Sequence, residues 1–244
     1  MWKMRRALGM IILLCIVLVG AASAEDSISV GACGSGMVWE LKGTALTIKG
    51  AGDMSSYTDD NGSGPWGKDV STVTVQGPVT RIGDNAFNGN TALTEAFLPN
   101  SVTVIGKRAF YGCTSLKSSS CSDAKQSDGD ISSYTVPDGV QEISAGAFNG
   151  CTGIESITIP ESVKKISASA FVGCYEAIAI EIKGGDTEIV DEDQLPSKAV
   201  VTCPSGSKAE DWCKVYGHNP DIAAAEAQAQ AEALAQAKAY IFRI

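Results

Sequence analysis

Hydrophobic and polar positions along this chain recur at an interval of 23 residues: Ile143 and Ile166, Phe148 and Phe171, and Cys151 and Cys174 are each separated by that distance. Aligned on the motif AF-x-G, four units emerge. They are VTRIGDNAFNGNTALTEAFLPNS from Val79, VTVIGKRAFYGCTSLKS from Val102, VQEISAGAFNGCTGIESITIPES from Val140 and VKKISASAFVGCYEAIAIEIKGG from Val163. The first and second units, and the third and fourth, are 23 residues apart; the middle spacing is 38, the same interval lengthened by a 15-residue insert at about residues 119–133. That insert, SSCSDAKQSDGDISS, is polar and aperiodic, so it should loop off one edge of a regular array. An interval that survives an insertion marks an internal repeat.

Each unit ends in a short alternating stretch: EAFLP, SYTVP, SITIP or AIEIK. Period-two alternation with β-branched residues predicts a strand with one buried face. Ala96 and Leu98, Tyr134 and Val136, Ile157 and Ile159, and Ile180 and Ile182 then point inward. Pro99, Pro137 and Pro160 stop the strand, because proline has no N–H for a ladder. The Ile, Ala and Phe upstream, such as Ile143, Ala147 and Phe148, fill the rest of the layer. Gly89, Gly112, Gly150 and Gly173 suit a left-handed turn after a brief helical bend. No unit of this size can bury its apolar face alone, so the units should stack into a solenoid with parallel strands ~4.8 Å apart.

The ends break the pattern. Residues 38–41 and 45–48 predict two strands joined by Lys42, Gly43 and Thr44, a β-module able to cover the first layer; DVSTVTVQG offers an incomplete first rung through Val73 and Val75. Towards the C-terminus, Ser207 and Glu210 form a capping box. Ala209, Trp212, Cys213 and Tyr216 follow at helical spacing, and Gly217 and Pro220 stop the helix. The last stretch, residues 221–244, is rich in Ala and Gln. It is helix-prone but has no clear apolar stripe; a loosely packed tail and a tail that mediates oligomerisation both remain open.

Composition adds the compartment. Lys3, Arg5 and Arg6 precede an apolar run at residues 8–20, and Ala22, Ser23 and Ala24 offer a small-residue cleavage site, the layout of a secretory signal peptide. The run is short for a membrane span, and Cys15 is not placed as a lipobox cysteine. Cleavage after Ala24 would leave 220 residues and take the net charge from −9 to −12. Such a surface repels nucleic acid and anionic lipid. LPSKA, starting at Leu195, is internal and no apolar segment follows it, so covalent wall anchoring is not expected.

The cysteines follow the repeat. Without Cys15 seven remain, an odd number that excludes a complete set of intrachain disulfides. Cys113, Cys151 and Cys174 share one register position, where the first unit has Asn90, and should form an interior ladder. Parallel side-chain directions favour thiols there, although adjacent rungs come within disulfide reach. Cys203 and Cys213 flank the start of the helix, and either a local disulfide or two thiols fits. Neither a metal nor another cofactor is expected. There is no CxxC pair and only one histidine, His218. The acidic groups at 59–60, 128–130 and 191–193 lack the spacing of a calcium loop, and no segment nominates a catalytic pair or triad, so no enzyme is expected. Asn61, Gly62 and Ser63 form a glycosylation sequon.

The AF-x-GC-x-x-L…I-x-IP unit at this spacing resembles the BspA-type leucine-rich repeats of bacterial surface proteins. CGSGMVWELKGTALTIKGAGDM, with Pro65 and Trp66 after it, is similar to a module that often precedes such arrays; CPSGSKAEDWCKVYGH is similar to a segment that often follows them. The resemblance implies a mainly β member of the α/β repeat class, a leucine-rich-repeat solenoid with short parallel strands on one face, a small N-terminal β cap and a C-terminal helical cap. It also implies export and a role in adhesion or protein binding, with no catalytic residues. The expected divisions are a signal peptide at 1–24, the N-terminal cap at 25–78, repeats at 79–185, the C-terminal cap at 186–220 and the tail at 221–244. On this plan Thr74, Phe97, Thr135, Thr158 and Glu181 share one outward row. Glu95 and Ser156 lie in the row beside it, with Thr72, Ser133 and Ala179. This face is the candidate site for a protein or glycan ligand at a cell surface, with Phe97 as its exposed aromatic. Assembly of a structural surface component through the caps and tail is the alternative.

Overall fold

Alternation dictates the strands, and their pairing builds the rest. The computed structural model describes residues 28–58, 63–117, 133–174, 179–190, 195 and 199–216. In chain order the strands are β1 (Ile28–Gly34), β2 (Met37–Lys42), β3 (Ala45–Lys49), β4 (Gly52–Asp53), β5 (Thr72–Gln76), β6 (Val79–Ile82), β7 (Glu95–Phe97) and β8 (Val104–Ile105). They continue as β9 (Ser133–Thr135), β10 (Glu142–Ile143), β11 (Ser156–Ile159), β12 (Lys165–Ile166), β13 (Ala179–Ile182), β14 (Glu188–Ile189) and β15 (Val200–Thr202), followed by helix α1 (Lys208–Tyr216).

The alternating stretches lie side by side as expected. β9, β11, β13 and β15 form a parallel sheet in which Ile157 pairs with Tyr134 and Ile180, and Ile180 with Val201. β7 belongs to a second front sheet, β1-β2-β3-β5-β7, antiparallel across β1, β2 and β3 and parallel from β3 to β7. The front is thus divided between β7 and β9, where the chain carries the insert; residues 118–132 lie outside the described part.

A third sheet, absent from the sequence-based expectation, runs along the other side: β14-β12-β10-β8-β6-β4, all parallel. Four of its strands, β6, β8, β10 and β12, come from the V-x-x-I stretches, with Ile82, Ile105, Ile143, Ile166 and Ile189 in successive register. Each coil therefore contributes one strand to the front and one to this back sheet. The ladders extend past the four units on both sides, through β4 and β5 before Val79 and through β14 and β15 after Gly185.

Between the sheets lies one continuous apolar interior. Phe87, Phe110, Phe148 and Phe171 are fully buried and stack, with ring centroids 5.1, 5.4 and 5.6 Å apart. Trp66 extends this column, stacked 5.4 Å from Phe87. The helical bends are laddered too: Phe87, Phe110 and Phe148 N–H groups donate to the carbonyls of Ala109, Ala147 and Ala170 in the next coil. Gly89, Gly112, Gly150 and Gly173 have φ of 70°, 67°, 75° and 71°, and a Cβ on Gly150 would sit 3.5 Å from the Gly112 Cα. Glycine is needed there for its conformation, since that Cβ distance is ordinary contact. The other left-handed register holds Asn85, Arg108, Gly146 and Ser169.

Helix α1 packs against β14 at the C-terminal end. Ser207 Oγ accepts the Glu210 N–H at 3.1 Å, and the Glu210 carboxylate accepts from Gly206, one residue before the cap position. Ala209, Trp212 and Cys213 face inward; Tyr216, expected on the same face, is 41% exposed. Gly217, Pro220, His218 and the tail lie outside the described residues, as do residues 1–27. Among the described residues, no helix is long and apolar enough to cross a membrane.

Candidate binding face

Parallel register places the outward side chains in rows. Thr47, Thr74 and Phe97 are aligned on β3, β5 and β7, and Thr135, Thr158, Glu181 and Thr202 on β9, β11, β13 and β15. The neighbouring row carries Ala45, Thr72 and Glu95 on the first sheet and Ser133, Ser156, Ala179 and Val200 on the other. Thr74, Glu95 and Phe97 are thus on one sheet and Thr135, Ser156, Thr158 and Glu181 on the other, with the division at the insert between them. All seven are half-buried. Phe97 is therefore not the freely exposed aromatic that alternation suggested: Thr74 stands beside it in the same row. Glu181 has local partners, because Thr158 Oγ1 donates to its carboxylate at 3.1 Å and Lys183 Nζ lies 3.9 Å away.

The same face continues onto the N-terminal hairpin. Val30 pairs with Glu40 and Ala32 with Val38, and these residues project on the side opposite buried Trp39 and Met37. Ile28, Val30 and Val38 are 59%, 66% and 55% exposed. The I-x-V-x-A alternation of β1 is visible in the sequence but does not place these residues. Only the pairing of β1 with β2 shows that they extend the face.

Inside, the cysteine positions form a hydrogen-bonded column. The thiols of Cys113, Cys151 and Cys174 donate to the carbonyls of Phe87, Phe110 and Phe148 at 3.1, 3.0 and 3.2 Å. Burial pushes Cys113 and Cys174 up to about 12, and Cys151 well above its ordinary value. Asn90 occupies the same position in the first unit; it is fully buried, and its amide has no hydrogen-bond partner. Cys203 and Cys213 are also buried thiols.

No group of three or more His, Cys, Asp or Glu side chains able to hold a metal occurs among the described residues. The acidic groups at 59–60, 128–130 and 191–193 fall outside them, as do Asn61 and Gly62 of the sequon.

The coil geometry has counterparts. A leucine-rich repeat protein from Eubacterium ventriosum ATCC 27560 superposes with a TM-score of 0.56 at 20% identity, over 74% of this chain and 45% of that one. A leucine-rich cell surface protein from Faecalibacterium prausnitzii A2-165 gives a TM-score of 0.42 at 19% identity, over 75% and 56%. A T. pallidum leucine-rich repeat protein gives 0.42 at 20% identity, over 73% and 91%. This chain thus spans less than half the length of the first of these. No curated protein matches the sequence. The family model of the BspA type leucine rich repeat region matches residues 67–129 and 122–193, in six copies. With that match over more than half its length, the chain belongs to the BspA-type leucine-rich repeat family.

Proposed function

We propose that this chain is an exported, non-enzymatic protein-binding module that engages its partner at a cell surface through the outward face of the front sheets. The observation that carries this reading is the in-register alignment of small hydroxyl side chains. Thr72 and Thr74, then Ser133, Thr135, Ser156 and Thr158, offer donors and acceptors on a rigid ladder. At one end the face turns apolar through Ile28, Val30 and Val38, and an apolar patch beside a polar field is the usual composition of a protein contact. A glycan is less well served, because stacking against a sugar ring needs an open aromatic, and Phe97 is half-buried. The net charge of −9 disfavours nucleic acid and anionic lipid. The parent family is typical of bacterial surface proteins, which supports export.

The test compares recovery of surface partners by the wild type with recovery by Phe97→Ala/Thr158→Arg. A tenfold or larger loss with unchanged circular dichroism is expected; equal recovery would remove the sheet face from the proposal. N-terminal sequencing of the secreted chain should begin at Glu25. A second reading, end-to-end assembly, is favoured by the apolar residues at the far end, Val200, Val215 and Tyr216, which are 51%, 72% and 41% exposed. Sedimentation of Val200→Lys/Val215→Lys separates the two: binding that persists in a monomer supports the module.

A further inference from the structure

The described cysteines fall into three kinds. Cys113, Cys151 and Cys174 each donate to a backbone carbonyl of a neighbouring coil, so their S–H groups are committed to oxygen. Cys33 is buried at the N-terminal end, where its carbonyl accepts from Ser55. Cys203 and Cys213 are different: their side chains lie close enough to interact with each other, and their exposures are 1% and 0%. One follows β15, the last strand of the front; the other lies on the buried face of α1, the element that closes the array. Nine residues separate them.

We propose that Cys203 and Cys213 form a disulfide in the exported protein, stapling helix α1 across the open end of the last coil. The bond would hold the lid against β14, the last described strand of the back sheet. The proposal rests on the export assigned above, but not on the binding face.

The oxidant is an external disulfide, either glutathione disulfide or the active-site disulfide of a thiol oxidoreductase. Cys203 attacks first as its thiolate, forming a mixed disulfide and releasing one external thiol. Cys213 then gives its proton to solvent and attacks the Cys203 sulfur, expelling the second external thiol. Two electrons pass from the pair to the oxidant, which leaves as two thiols. Cys203 suits the first role. It stays on the last coil when α1 lifts, whereas Cys213 moves with the helix. Because both sulfurs are covered, exchange requires α1 to lift or to be still undocked during folding.

The test uses the purified, reduced full chain, equilibrated with a glutathione and glutathione disulfide buffer, denatured in alkylating reagent and mapped by peptide mass. The expected result is one dominant link, Cys203 to Cys213, with Cys33, Cys113, Cys151 and Cys174 alkylated. Trypsin cleavage at Lys208 should then leave two fragments joined until reductant is added. Reduction should lower the Tm of the wild type by roughly 5 °C and leave that of Cys203→Ser/Cys213→Ser unchanged. Alkylation of both residues at equilibrium, or a link from either to Cys121, would overturn the proposal; the mapping needs no variant, so a misfolded double mutant cannot obscure it. Oxidation of the purified chain depends on geometry alone, so its failure is distinct from a failure of export, which the N-terminal sequencing tests.

Discussion

From Phe110 to Phe171 the interior is nearly crystalline in its repetition. The rings lie 5.4 and 5.6 Å apart at 7° and 8° to one another, and the thiols of Cys151 and Cys174 reach the carbonyls of Phe110 and Phe148. From Trp66 to Phe110 the same column is as closely spaced but less parallel. The planes diverge by 28° and 17°, and the cysteine position holds Asn90, with a buried amide that bonds to nothing. The difference shows what a solenoid column requires. At Cys113, Cys151 and Cys174 a single S–H donor is satisfied by one carbonyl of the neighbouring coil; at Asn90 an amide with two donors and an acceptor finds no partner.

The comparison can be broken at its strongest point first. Phe148→Ala removes a ring packed on both sides and should destabilise the protein by about 3–5 kcal/mol in chemical denaturation. Phe87→Ala should cost less, because the Trp66 neighbour is already tilted; the reverse order would discard the distinction between rungs. Alkaline titration comes next. Cys113 and Cys174 are raised from 9.0 to about 12 in the folded chain. The unfolded chain therefore loses these protons first, so stability is whole below pH 9 and declines towards pH 12. Tm should fall over that window, and Cys113→Ala/Cys151→Ala/Cys174→Ala should flatten the fall. The first rung contributes no such titration.

Smaller effects sharpen the contrast. Asn90→Cys puts the residue of the other rungs at this position and should stabilise by about 1 kcal/mol, since a buried unpaired amide is replaced by a thiol that costs far less to bury; a loss of stability would show that Asn90 is better served than its surroundings indicate. The smallest concerns the left-handed register shared by Asn85, Arg108, Gly146 and Ser169, where φ is 53–65°. Ser169→Gly should gain about 0.5 kcal/mol by relieving backbone strain, and Gly146→Ser should lose a similar amount.

Much of this was legible beforehand. The 23-residue interval named the Phe and Cys columns, and alternation assigned Ile157 inward and Thr158 outward. The back sheet was not legible, because a two-residue strand such as Lys165–Ile166 is too short to show a period. Trp66 was not seen as a column member: its route through Gly64 and Gly67 does not repeat AF-x-G, and it stands 21 residues before Phe87. β14 and β15 lack the Phe and Gly of a full unit and declare themselves only by pairing with β12 and β13. On the candidate face, the row was readable but the burial of Phe97 was not, since exposure depends on what stands beside a side chain.

The amino-acid order by itself determined that coils repeat, which residues enter the interior and which turns need glycine, because those follow from side-chain period, volume and backbone freedom within one unit. Only the tertiary structure decided where the coils begin and end, how the front divides at the insert, and that Ile28, Val30 and Val38 extend the outward face. These depend on which strand lies beside which, and hydrogen bonding between neighbouring coils leaves no local mark in the residues that make it.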